Sequence, residues 1–171
     1  MKLVQTLIAS VVLSVAAVSA QAQVYSWGQH GPLESKSALV NGSFTDYFNF
    51  SLSATSNISG LLTSVTIPTF VSLESAAVTL YKGAVDNNGN VQAGSTSVGS
   101  FALGDLKAKS FSSLGSGSYF YKVSGVTNGS LGGSYTLSSS ANVAPVPEPE
   151  TYALMGLGLV GLLAARRRKA K

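Results

Sequence analysis

From Phe44 to Ser139 the chain runs in short stretches of alternating apolar and polar residues. Phe44, Asp46, Phe48, Phe50 and Leu52 fall on one side of an extended segment, with Thr45, Tyr47, Asn49 and Ser51 on the other. This period of two predicts a strand. Ile58 to Ile67 predicts a second strand, ended by Pro68, and Ala77 to Lys82 a third. Asp86-Asn87-Asn88-Gly89 then supplies a turn, because Asn-Gly accepts the positive φ of tight turns. Val98 to Leu103, Lys109 to Leu114, Tyr119 to Val123 and Ser134 to Ser139 follow as further strands. No long 3.6-residue period intervenes. Short strands broken by Gly/Asn punctuation predict an all-β fold: an antiparallel β-sandwich or jelly roll of about seven to eight strands. Ser and Thr on the alternate positions predict that one face of each sheet meets water.

The two ends break this pattern. Lys2 precedes an apolar run from Leu7 to Val18 and then Ser19-Ala20-Gln21-Ala22. That is the order of a secretory signal peptide: charged start, apolar helix, small-residue cleavage site. Ala20 and Ala22 give the better A-x-A match, placing the cut before Gln23; a cut after Ala20 is the alternative. Signal peptidase and the Sec translocon are the implied partners. Residues 23–41 then read as an N-terminal arm, 42–140 as the sandwich and 141–150 as a linker.

At the other end stand Val146-Pro147-Glu148-Pro149-Glu150, an apolar stretch within 151–165, and Arg166-Arg167-Arg168-Lys169 in the 166–171 tail. Tyr152 to Ala165 as helix rises about 21 Å at ~1.5 Å per residue, short of a hydrocarbon core of about 30 Å. This predicts a marginal transmembrane helix that borrows length from flanking residues and snorkelling arginines. The basic cluster stays cytoplasmic, so the proline motif faces outward. Pro147 and Pro149 keep that motif extended, as a protease cleft requires.

These parts, in this order, resemble the PEP-CTERM sorting signal. The resemblance implies processing by exosortase, a membrane protease-transpeptidase of Gram-negative bacteria that build exopolysaccharide or biofilm matrices. It implies an inner-membrane-anchored precursor, then a cell-surface or matrix location. Phe44-Thr45-Asp46-Tyr47-Phe48 matches the F-x-D-x-F signature of a PEP-CTERM subfamily. More loosely, DYFNFSL, VTLYKG, LGSGSYFYKVSG and GGSYTLS resemble the bacterial pre-peptidase C-terminal domain, a jelly-roll sandwich.

Charge changes meaning once the ends are set aside. The formal net charge is +4. Between Gln23 and Pro145 the lysines (36, 82, 107, 109, 122) are matched by Glu34, Asp46, Glu74, Asp86 and Asp105. The body is close to neutral and holds no arginine, so nucleic acid is excluded as a partner: nothing would neutralise phosphates. Cysteine is absent, so the fold rests on its core alone.

Chemistry is sparse. Asp46 shares a strand face with Phe44, Phe48 and Phe50, where an unpaired carboxylate is costly. Three readings are open: it accepts backbone N–H bonds from a neighbouring loop, it helps bind a cation, or it lies exposed at a bend. Asp86-Asn87-Asn88-Gly89-Asn90 lacks the sixth-position Gly and twelfth-position Glu of an EF-hand, so it reads as a solvated turn. His30, the one histidine, sits in the arm beside Gly31-Pro32, and Trp27 lies either free with it or docked on the sandwich. Serine triads, metal clusters and glycosidase pairs need more than this. The sequence predicts no enzyme, no cofactor and no metal, and an exported surface or matrix protein associated with exopolysaccharide or other matrix components. A carbohydrate- or calcium-binding module using Tyr and Asn side chains is the alternative.

Overall fold

A computed structural model describes residues 22–105, 107–143, 153–160, 162 and 166. Nine strands follow one another: β1 Gln23–Gln29, β2 Leu33–Val40, β3 Ser43–Leu52, β4 Ser56–Ser64, β5 Leu73–Lys82, β6 Thr96–Ala102, β7 Lys109–Leu114, β8 Gly117–Thr127 and β9 Gly133–Val143. They form a five-stranded sheet, β1-β3-β8-β5-β6, facing a four-stranded sheet, β2-β9-β4-β7. The sandwich is therefore the expected architecture with more strands than expected.

The additional strands come from 23–41, read from sequence as an arm. β1 joins one sheet and β2 the other. Moreover, β1 pairs parallel with β3, so the sandwich is mixed, not purely antiparallel. The chain leaves the five-stranded sheet after β1, crosses to the other sheet as β2, and returns as β3. Gly31 and Pro32 lie between the first two strands, and Gly42, at φ 65°, between the next two. A left-handed backbone there suits a residue without Cβ.

The core lies between the sheets, where period-2 alternation turns every second residue inward. Phe48, Val78, Leu80, Tyr121 and Val123 from one sheet meet Ile58, Tyr135 and Leu137 from the other, all fully buried. On β3, Phe44, Asp46, Phe48, Phe50 and Leu52 all point inward, as the alternation predicted. The outer face of the four-stranded sheet carries hydroxyl pairs instead: Ser35–Ser138 at 3.1 Å, Ser37–Thr136 at 2.8 Å and Ser59–Ser110 at 3.1 Å.

The outer face of the five-stranded sheet departs from that rule. Tyr47 and Phe120 are buried there, with Val85 over them and Ala22, Val24 and Tyr81 packed at the side. Phe120 stacks on Tyr81 at 5.0 Å and meets Tyr47 edge-on at 6.0 Å. At its centre, the middle of β3 is buried on both faces.

Residues 153–160 are helical. No helix among the described residues is long and apolar enough to cross a membrane. Of the expected 151–165 span, residues 151–152, 161 and 163–165 lie outside the described residues, as do Ala20, Val146 to Pro149 and Arg167 to Lys169.

Candidate functional site

Two buried polar clusters tie β1 and the turn after it to the rest of the sandwich. The first is built on Asp46, 2% exposed. Its Oδ2 accepts the Tyr135 hydroxyl of β9 at 2.5 Å, and its Oδ1 accepts the Gln23 backbone N–H of β1 at 3.2 Å. The exposed-bend reading is overturned. One backbone N–H does reach the carboxylate, but it comes from a paired strand and is joined by a phenol. Burial raises the Asp46 carboxyl above its ordinary range, opposed by the bonds from Tyr135 and Gln23. Tyr135 is also pushed far up, by burial first and then by Asp46.

The second cluster is built on His30. Nδ1 lies 2.6 Å from the Gly31 carbonyl, which accepts only, so Nδ1 carries the proton. In the neutral ring, Nε2 then accepts from the Ser139 hydroxyl at 2.8 Å. The Tyr121 hydroxyl, 2.9 Å from Ser139 Oγ, completes the chain as donor. Burial holds the imidazole below its ordinary value, with the Gly31 carbonyl and Glu34 opposing. Ser139 and His30 have a nucleophile–base contact, but Ser139 is 1% exposed between the sheets. No substrate carbonyl reaches it without unfolding the sandwich, so the cluster is a structural clamp. Trp27 docks rather than swinging free: its ring lies 5.3 Å from Phe48 and 5.7 Å from His30.

The Asp86 loop is closed by its own amides. Asp86 Oδ1 accepts the N–H groups of Asn88 at 2.9 Å and Asn90 at 2.8 Å, while Oδ2 accepts Asn90 Nδ2 at 2.9 Å. These bonds hold its carboxyl below the ordinary range, Asn90 first. Gly89, at φ 82°, makes the turn.

An open cleft of about 380 Å³ lies at the β1 edge, lined by Ser26, Gln29, Asn49, Ser51, Val85 and Tyr119 among others. It offers neutral hydrogen-bonding groups and no carboxylate, imidazole or amine. Tyr47, Tyr119, Tyr121 and Tyr135 are all buried, so they form no exposed aromatic platform for a sugar ring.

Sequence reasoning singled out Asp46 but missed Tyr135, Ser139 and Tyr121 as its counterparts and those of His30. Their partners lie 89 and 109 residues away along the chain. Phe44 and Phe48 of the same motif are core: Phe44 stacks on Tyr135 at 5.5 Å and Phe48 on Tyr25 at 4.8 Å.

Among solved structures, the fold is loosely similar to PliG of Salmonella Typhimurium, a periplasmic inhibitor of g-type lysozyme. Identity is 13%, with 71% of this chain and 100% of that chain covered and a TM-score of 0.41. The Yersinia pseudotuberculosis-derived mitogen is similar at 14% identity, covering 68% of this chain and 90% of that one, TM-score 0.41. The pre-peptidase C-terminal domain of a Bacillus anthracis collagenase is similar at 15% identity, covering 71% and 96%, TM-score 0.33. No curated protein matches the sequence. Residues 145–169 match the model of the PEP-CTERM protein-sorting motif. The chain thus carries a C-terminal PEP-CTERM sorting motif behind a nine-stranded β-sandwich.

Proposed function

We propose that this chain is the precursor of an exported, non-catalytic surface or matrix protein. Its signal peptide is removed on export, and its C-terminal helix holds it in the inner membrane until exosortase cuts within the Val146 to Glu150 segment. The observation that carries the reading is the sorting motif at residues 145–169. A near-neutral body with a hydroxyl-lined outer sheet suits a hydrated exopolysaccharide layer, where ionic groups would invite unspecific binding. Phe44, Asp46 and Phe48 support assignment to the F-x-D-x-F subfamily.

The test replaces Pro147-Glu148-Pro149 by alanines in a host that carries exosortase. The expected product is a membrane-retained precursor that still bears Arg166 to Lys171. Release of that variant at the parental rate would contradict exosortase processing and favour an unspecific protease.

A further inference from the structure

β1 begins at Gln23, in register with Asp46 of β3. The Gln23 nitrogen is 3.2 Å from Asp46 Oδ1, and the other oxygen holds Tyr135. Among the described residues, a carboxylate this deeply buried on two neutral donors has no paired counter-charge, which is an expensive arrangement. The signal-peptide cut expected from sequence falls between Ala22 and Gln23. Water hydrolyses that amide, leaving a carboxylate on the departing Ala22 and an amine on Gln23. An α-amine is protonated at neutral pH, with an ordinary pKa of about 8.

The geometry points to Asp46 as the receptor for the mature N-terminus: removal of the signal peptide turns a neutral hydrogen bond into an ion pair between the Gln23 α-ammonium and the buried Asp46 carboxylate. This rests on the export reading above. The cleavage position matters, because a cut after Ala20 leaves two residues in front and carries the ammonium roughly 7 Å further along an extended chain. The pair also fastens β1, an edge strand, to the sheet.

The groups facing the carboxylate are Tyr135 of β9 and Tyr25 of β1, whose ring stacks on Phe48 and lies under Lys36 Nζ of β2 at 5.2 Å. Burial raises Tyr25, and Asp46 raises it further. Both phenols therefore stay neutral at pH 7 and supply no competing charge. Pairing raises the amine above its unfolded value. Its contribution to stability is then full below about pH 8, as long as Asp46 is ionised, and is lost as pH rises through the folded value of the amine.

The test compares two forms of the full chain in detergent, one starting with a free amine at residue 23 and one retaining Gln21-Ala22 in front. Both carry Gln23→Ser, so that the amine cannot cyclise onto its own side chain. The free-amine form is expected to melt roughly 3–6 °C higher near pH 7, with the advantage gone by about pH 11. Asp46→Asn in both forms should remove the difference. If those variants do not fold, acetylating the amine of the parent should remove it. Equal melting at every pH, or an advantage that survives acetylation or Asp46→Asn, overturns the assignment. The N-terminal mass of the exported protein tests the export reading separately: a start at Gln23 with its amine intact supports the pair in the cell, and a start at Gln21, or a Gln23 cyclised with loss of ammonia, overturns it there.

Discussion

At the scale of single residues, the buried carboxylate of Asp46 and the buried imidazole of His30 are each held by a side chain of β9, Tyr135 and Ser139. Asp46 was legible as unusual because it falls in phase with Phe44, Phe48 and Phe50 on β3. Tyr135 as its partner was not, because local alternation carries no information about which strand lies across the core. His30 was missed for the same reason. A lone histidine next to Gly-Pro reads as loop, yet its ring closes on Ser139 from the far end of the chain. Burial holds this imidazole below its unfolded value of about 6.5. Below that pH the unfolded chain takes up more protons than the native one, so stability falls as pH drops from about 7 towards 5. Asp46, held above its ordinary value, works in the opposite sense. His30→Gln keeps a donor and an acceptor but removes the titration. The acid-side loss, measured by denaturant unfolding between pH 7 and 5, should flatten in that variant. An unchanged slope would show that the imidazole is not what the native state protects.

At the scale of elements, strands with an apolar face could be read and strands without one could not. β3 was found almost to its ends, since it alternates against a buried layer, and β7 at its observed bounds, where Phe111 is a single large buried anchor. β2 reads Leu-Glu-Ser-Lys-Ser-Ala-Leu-Val, and of these only Ala38 is buried. Its place is fixed by pairing with β9 along its whole length, which leaves no hydropathy signal. β1 is broken by a bulge between Ser26 and Gly28, with Gly28 at φ 67°, and so loses its period. The Asp86 turn was legible because all of its bonds are local.

Glycine inside a strand marks a different constraint. A Cβ on Gly60 of β4 would stand 2.7 Å from the Phe101 ring and 3.3 Å from the Tyr121 hydroxyl. Phe101 is itself confined between Phe111 and Tyr121. Overpacking of this kind costs about 1–3 kcal/mol. Gly60→Ala should lower stability by that amount in equilibrium unfolding, and adding Phe101→Leu, which vacates the ring's edge, should restore part of it. A Gly60→Ala variant as stable as its parent would mean that the aromatic layer yields freely.

At the scale of the whole molecule, the body and the ends carry separate messages. The sandwich holds its polar groups in clamps that join residues 23–30 to β3, β8 and β9, and presents hydroxyls outside. The C-terminal sorting motif carries the address. The sorting motif was readable because its parts are contiguous, and the family match covers the same residues. The destination of the mature protein was not readable, because a neutral hydroxyl surface fits many hydrated environments. Processing at both ends is therefore the central claim, and the intact mass of the protein released by an exosortase-bearing host tests it most directly. The account predicts a chain that begins at Gln23 and ends between Pro147 and Glu150, with or without an attached group. A released chain that still carries Arg166 to Lys171 would contradict it.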